Sequence, residues 1–448
     1  MMDSDRRIPF KEKTASGAFL FSGSDLSAKT VWKETRDAIG APFLKAAFPE
    51  KTLGAPFLEY ALNCLKKVRK FGVLMIRPDP GTEDALKDGV DGDGRVKDLV
   101  DALKALCRDP GSGWGPYEPD ILCGFFPDKT DQDCMEMGMA IQDRLQSEGA
   151  VTVSIGCARH PTIHFSKAQA FENARKAIDH AAFFGPGSRV VFDAVSLNIS
   201  GDNRYQEGDI PGAVGEYRSA LRLDPTDVNV LNSLGVCYAI QEDWARAVEC
   251  FETALWLAPH EVMAVYNLAL VDQARGAPDR ALERYREVLD IQQDHFESLF
   301  QMGRLYLEKK EPGEAEACFQ KAVSVRPGSG PAHRYLGECG MLLGKAQDAI
   351  RAFKRAVKIN PNDAASLSAL GSLFNEIGEN PEVALAFCEQ SVKIAPEEGL
   401  YRYRLGVLYH RHDRIPEAEK TLGEAQRLGY AAQPLIDEIR KGREGDFQ

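Results

Sequence analysis

The residues most ready for chemistry are a thiol and an imidazole three positions apart, Cys157 and His160 in Gly156-Cys157-Ala158-Arg159-His160. A histidine can activate a cysteine for acyl transfer, but the pair also needs an acid to orient the imidazole, and none is evident. The apolar run before Cys157 places the thiol in or just after a core strand. The other nine cysteines (64, 107, 123, 134, 237, 250, 318, 339 and 388) form no C-x-x-C pair and mostly sit beside apolar neighbours. That excludes a zinc ribbon or a disulfide framework and reads as free buried thiols in a reducing cytoplasm. No Gly-x-x-x-x-Gly-Lys-Ser/Thr occurs, so Gly185-Pro186-Gly187 is a turn and not a phosphate loop. Net charge is −12, and residues after 193 carry 39 acidic against 29 basic side chains. Without a basic stripe to displace counterions, no nucleic-acid partner is expected.

The elements that would carry such groups must fit a chain of 448 residues, 44% hydrophobic and 27% charged. These are globular values, enough for about three domains' worth of core. No run of about 18 apolar residues could cross a membrane, and the polar start leads into no h-region, so a cytoplasmic protein without membrane contact is expected. From Ala194 onward the chain repeats every 34 residues. The clearest copy runs Leu231, Leu234-Gly235, Tyr238, Ala247, Phe251, Ala254, Pro259. Later copies keep Leu299, Met302-Gly303, Tyr306, Ala315, Phe319, then Leu336-Gly337 with Phe353, Leu370-Gly371 with Phe374, and Leu405-Gly406 with Tyr409. A degenerate first copy keeps Ala213, Tyr217, Ala220 and Pro225, and one residue is inserted near Gly378-Glu379-Asn380-Pro381.

Each of the seven copies reads as two short helices with a proline stop, and glycine or alanine at the eighth position lets the paired helix approach closely. One hairpin cannot bury its own apolar face, so the copies must stack as an all-α superhelical solenoid. Residues 431–448 supply a closing helix and tail. This pattern resembles the tetratricopeptide repeat family over about 240 residues (194–430). The resemblance implies a protein or peptide partner held on the concave face, lined from the first helix of each copy at positions two, five, nine and twelve. Those positions include Asn229, Asn232, Tyr266, Phe300, Arg304, Arg334 and Tyr403. Arginines and aromatics beside amides suit an extended segment carrying a carboxylate and apolar side chains. Tyr266 and Phe300 are equally suited to packing between helices. The lysine of the family's C-terminal carboxylate clamp is absent, so no such clamp is expected.

Residues 72–193 alternate β-rich runs with helical stretches: strand 72–76, helix 96–107, strand 121–126, helix 131–147, strand 151–156, helix 167–184 and strand 189–192, a compact α/β sandwich. Val151-Thr152-Val153-Ser154-Ile155-Gly156-Cys157-Ala158, the helix from Glu172 to Ile178 and the hairpin Pro116-Tyr117-Glu118-Pro119-Asp120-Ile121-Leu122 resemble the GGDEF domain of diguanylate cyclases, which shares its core with class III nucleotide cyclases. The resemblance implies carboxylates around two divalent ions that activate GTP. Against that pattern the chain departs almost everywhere. Arg77 stands where a metal-binding acid belongs, Glu118 and Pro119 replace the twin glycines, and Ile121 replaces the second hairpin acid. Ala85 and Thr82 fall at the guanine- and phosphate-reading positions, and Asp109-Pro110-Gly111-Ser112 fills the product-inhibition site. Asp79, Asp93 and Asp120 are the retained acids, a vestigial nucleotide site.

A catalytically inactive GGDEF-like domain is therefore expected ahead of a repeat scaffold or signalling adaptor, with no cofactor or metal; the family resemblance implies a bacterial source. The alternative is a GTP- or cyclic di-GMP-sensing regulator. The α/β domain could serve protein contacts or a homodimer. Residues 1–71 form an unassigned helical extension, with proline-opened helices at Gly40-Ala41-Pro42-Phe43-Leu44 and Gly54-Ala55-Pro56-Phe57-Leu58. The junction 193–201 lacks a flexible linker, so the first repeat should pack on the α/β domain.

Overall fold

The structure, a computed structural model, describes residues 55–79, 92–147 and 152–445. The helix expected at Gly40, and positions Thr82 and Ala85, lie outside the described residues, as does the side chain of Asp93. The chain falls into two compact units, Met1–Asn267 and Leu268–Gln448.

The first unit opens with α1 (Ala55–Cys64), started by Pro56 as expected, followed by β1 (Phe71–Pro78), α2 (Gly92–Leu106), β2 (Gly113–Glu118), β3 (Ile121–Pro127), α3 (Asp131–Ser147), β4 (Val153–His160), α4 (Lys167–Ala181) and β5 (Arg189–Val191). The last turn of the helix expected to 184 tightens to a 3-10 turn over 182–184, closed by Gly185 at φ 88°. The strands form one sheet in the order β2-β3-β1-β4-β5. β1 runs antiparallel to both neighbours, while β4 and β5 are parallel.

Central strand β1 reads as a continuous apolar run because both its faces are covered. Leu74 and Ile76 pack with Leu99 and Leu103 of α2, Ile141 and Leu145 of α3, and Cys157 of β4. On the other face Phe71 meets Phe171 of α4, and Phe125 meets both Phe171 and Phe57 of α1. Gly156 lets α4 sit directly on β4, since a Cβ there would collide with the carbonyl of Ala174.

Helix pairs follow. The first unit holds α5 (Ala194–Gln206) with α6 (Ile210–Leu223), then α7 (Val228–Ile240) with α8 (Trp244–Leu257), and the start of α9 (Val262–Ala274). The second unit continues with α10 (Pro278–Ile291), α11 (Phe296–Glu308), α12 (Pro312–Val325), α13 (Gly330–Leu342), α14 (Ala346–Ile359), α15 (Ala364–Ile377), α16 (Pro381–Ile394), α17 (Gly399–Arg411), α18 (Ile415–Arg427) and the closing α19 (Gln433–Gly445). Aspartate caps α6, α7, α8 and α15 by accepting backbone N–H groups of the first turn. The inserted residue lengthens α15, which ends on Gly378 in the left-handed region (φ 71°).

In four of the pairs the eighth residue of the first helix is a glycine that meets an aromatic ring of the second; Gly371 meets Cys388 and Gly406 meets Leu422 in the same way. A Cβ on Gly235 would lie 2.5 Å from the Phe251 ring, and one on Gly303 2.7 Å from Phe319. Gly201 stands the same way against Tyr217, whose hydroxyl donates to the buried Asp202 at 2.8 Å.

The α/β layer and the first helix pair share a continuous seam inside the first unit. Lys176 of α4 donates to both carboxylate oxygens of Glu216 on α6, at 2.8 and 2.7 Å, and Arg204 approaches the same carboxylate at 3.4 Å. Beside it, Asp193 caps α5 through the Ser196 N–H and hydroxyl, with His180 Nδ1 at 3.2 Å from the Ser196 hydroxyl and 3.4 Å from Asp193. Burial pushes the Asp193 carboxyl up, but His180 and the two Ser196 donors outweigh it, and the group sits below its ordinary value.

Two outcomes follow from this packing. Gly235→Val should lower the urea-derived unfolding free energy by about 2 kcal/mol or more through overpacking, whereas Gly215→Ala, where a Cβ meets nothing within 4 Å, should raise it by up to about 1 kcal/mol. Asp193→Ala should cost roughly 1 kcal/mol at pH 7 as a lost cap. Because the folded carboxyl titrates below its unfolded value near 3.9, that stabilisation is present above about pH 4 and is lost as pH falls further. Urea unfolding of wild type and variant should therefore converge below about pH 4.

Candidate functional site

Arg77, at the end of β1 opposite Ser154 on β4, is buried inside a ring of charge. Its Nε lies 3.1 Å from Asp120 Oδ2 and its Nη1 3.3 Å from Asp179 Oδ1 on α4. The Nε contact is an ion pair and lacks hydrogen-bond alignment. Arg175 links Asp179 to Glu118, donating to the latter at 2.9 Å. Tyr117 donates its hydroxyl to Glu172; burial first, then that carboxylate, pushes the phenol well above its ordinary range. The β2–β3 turn thus carries its acids to two guanidinium groups of the same chain. A two-residue turn, Pro119-Asp120, is what aims Asp120 back at β1.

Asp79 and Asp120, the two retained acids whose side chains are described, have separate partners. Asp79 is buried and accepts from the Ser154 hydroxyl and, at 2.7 Å, from the Gly187 N–H, so it ties β1 to the turn before β5. Asp120 faces Arg77. Among the described residues no group of three or more His, Cys, Asp or Glu side chains could hold a metal ion. Cys157 and His160 are likewise apart. Three residues along a strand point them to opposite faces: Cys157 lies among the α2 and α3 side chains, while His160 stacks on Phe71 at 5.1 Å. Burial drives the Cys157 thiol well above its ordinary value, which leaves it protonated and unreactive.

The first helices of the pairs present a different surface. In the first unit Asn229 is exposed, and Asn232 is largely buried with its amide oxygen unpartnered. Asn198 on α5 and Asn267 on α9 also have buried amide oxygens without a hydrogen-bond partner. A buried acceptor left unpaired costs roughly 1–3 kcal/mol, and three on successive first helices make a recurring feature. Tyr266 is 1% exposed, so its ring packs among the helices.

In the second unit Phe300 is half-buried against the rings of Phe296, Phe319 and Tyr335. Half-buried Arg304 donates to the Gln301 side-chain oxygen at 3.4 Å and pairs with no carboxylate among the described residues. Arg334 lies 3.8 Å from Glu338 and 3.6 Å from Asp363, with its guanidinium 5.2 Å from the Tyr335 ring. Burial raises the Glu338 carboxyl above its ordinary value even with Arg334 opposing it. Arg404 donates to the Ser368 hydroxyl at 3.2 Å. Tyr403 packs on Tyr430, ring centroids 4.8 Å apart.

Asn198, Asn267, Glu338 and Arg404 were not among the residues expected from sequence. Asn198 and Glu338 occupy the fifth and ninth positions of their helices and were legible from the same positional rule. Asn267 and Arg404 sit at the sixth position, one step around the helix, where the rule is silent.

Family models described as tetratricopeptide repeat and TPR repeat match residues 241–296 with 300–364, and 201–241. Across residues 201–364 the helix pairs are therefore tetratricopeptide repeats. Among curated proteins the chain is 24% identical over 200 residues to the BBSome complex member bbs-4 of Caenorhabditis elegans, covering 44% of this chain and 42% of that one. It is 27% identical over 243 residues to Superkiller protein 3 of Schizosaccharomyces pombe, covering 50% and 17%. The chain thus spans less than half the length of these relatives. Among solved structures, a tetratricopeptide repeat protein from Parabacteroides merdae is similar at 21% identity and a TM-score of 0.39, over 55% of this chain and 97% of that one. YrrB, titled a TPR protein with an unusual peptide-binding site, is similar at 22% identity and a TM-score of 0.38, over 44% and 99%. No helix among the described residues is long and apolar enough to cross a membrane.

Arg77→Met should cost roughly 2–3 kcal/mol in urea unfolding, less than a fully buried pair because Asp120 and Asp179 keep some water. Adding Asp120→Asn should recover about 1 kcal/mol or more of that loss, a coupling read from the double-mutant cycle.

Proposed function

We propose that this chain is a non-catalytic interaction protein whose repeats bind an extended peptide segment of a protein partner along the first helices. The observation that carries the reading is the set of unpartnered amide oxygens on Asn198, Asn232 and Asn267. An extended segment has backbone N–H groups at regular spacing, and these amide oxygens, closed off in the free chain, can satisfy them when the amides turn outward on binding, without reading side chains. In the second unit Arg304 is the cation suited to a carboxylate of the partner, with Phe300, Arg334 and Tyr403 beside the same helix series. Tetratricopeptide repeat proteins mediate protein–protein contacts in general, which agrees with this assignment.

The α/β layer reads as a degenerate GGDEF-like domain. Its support is the element order, the β2–β3 hairpin beside β1, and the motifs of β4 and α4. Arg77 and its partners argue against metal-assisted GTP chemistry there, because two divalent cations would have to displace a buried guanidinium from Asp120 and Asp179.

A selection of random peptides displayed on phage against the full-length chain tests the reading. Asp- or Glu-bearing extended peptides should emerge, and their affinity should fall about tenfold in Asn232→Ala and in Arg304→Glu. Asn232→Ala should leave folding stability unchanged or slightly higher, since it removes an unpaired buried acceptor. Calorimetric titration with GTP plus magnesium, and with cyclic di-GMP, should be silent; low-micromolar binding of either would make the protein a nucleotide sensor.

A further inference from the structure

The second helix of the second pair, α8, buries Ala247, Cys250, Phe251 and Ala254 and leaves the opposite face open. On that face Trp256 is 81% exposed, far more than a side chain of its size ordinarily is. It lines an open hollow of about 460 Å³ with Ala245, Val248, Glu249, Glu252 and Thr253. The periodicity of the chain makes the residue conspicuous. Counting in steps of 34, Arg222, Asp290, Ser324 and Lys358 occupy the same place in other copies. The helix-pair fold therefore does not require an indole there, and leaving one in water forgoes roughly 2 kcal/mol of burial.

The charges around Trp256 specify what would cover it. Glu252 and Glu249 are exposed one and two turns before the indole, and no basic side chain among the described residues pairs with either. Elsewhere the chain repeatedly completes such an arrangement with an arginine, and two copies show it well. Arg246 lies 4.4 Å from the Tyr238 ring centre while pairing with Asp243, and Arg414 lies 4.4 Å from the Tyr409 ring centre while bonding Glu417 at 3.0 Å. At Trp256 the aromatic face and the carboxylates are present and the cation is not supplied by the described chain. Indole is the strongest aromatic acceptor for a guanidinium, and the two carboxylates add pairing and direction.

We propose that the outer face of α8 is a second docking surface, which takes an arginine-bearing segment of a protein partner with its guanidinium over Trp256 and between Glu249 and Glu252. Aliphatic stems of that segment fill the hollow against Val248 and Ala245. The surface is opposite the face that α8 turns to α7, and the inference does not rest on the reading of the first helices.

The test uses the full-length chain and fluorescein-labelled peptides at physiological salt, read by anisotropy. The probe is an amidated peptide alternating arginine, leucine and glycine, with a counterpart in which glutamate replaces arginine. The arginine peptide should bind, and its affinity should fall about tenfold in Trp256→Ser and in the pair Glu249→Gln with Glu252→Gln. Arg304→Glu should leave that binding unchanged. Equal binding to wild type and Trp256→Ser would overturn the proposal, reducing the effect to attraction by the net acidic chain. So would preference for the glutamate peptide, or peptide-free self-association by sedimentation that Trp256→Ser abolishes, which would assign the face to a second copy. Circular dichroism of each variant keeps loss of fold from being read as loss of binding.

Discussion

Most of the repeat pairs depend on one close approach, a side chain of the second helix, in four pairs an aromatic ring, lying where a side chain on the first would otherwise stand. Gly235 against Phe251 and Gly303 against Phe319 show the contact at its tightest. Because the first helix carries no Cβ at that place, the ring can be fully buried by just two helices. The remaining apolar face of the pair is then free to meet the next pair, and stacking rather than internal closure completes the core. The same contact fixes the outward faces. With Ala247, Phe251 and Ala254 held inward, Trp256 has no route to the interior and must stand in solvent.

In the α/β layer the corresponding organiser is electrostatic. A strand buried on both faces normally ends without charge, yet β1 ends in Arg77, which is kept there by acids from the hairpin and from α4. Two guanidinium groups against Glu118, Asp120 and Asp179 hold the hairpin to the helix and leave its acids occupied. Asp79 does a separate job two residues further on, closing the turn at Gly187. Carboxylates that look like one set in the linear chain are two sets in space, each with its own donors.

Much of this was legible in the residues. The 34-residue spacing, the alanines of the second helices and the proline stops mark helix pairs because each copy writes the same local solution. In the α/β layer the bounds of the helix 131–147 coincide with the expectation, whereas β1 runs to Pro78, β4 covers Val153–His160 rather than 151–156, and the second helix starts at Gly92 rather than 96. Pairings were not legible. That Arg77 meets Asp179 depends on a separation of 102 residues, and nothing near either residue announces it. The amide oxygens were partly legible: Asn232 fell on the positional rule, whereas Asn267 lies one step around its helix. Burial of Tyr266 was undecidable from type alone, since tyrosine serves a groove and a helix interface equally well.

The seam between α4 and α6 has a consequence of a different kind. Lys176 grips both oxygens of Glu216, and Asp193, His180 and Ser196 lock the start of α5 directly to the end of the sheet. In mechanical terms this is a stiff coupling with two anchorage points on different helices, so it resists twist as well as tension. Torque applied to the first helix pair is delivered to α4 and the β4–β5 edge without slack, so within the first unit the sheet serves as the foundation against which that pair is held.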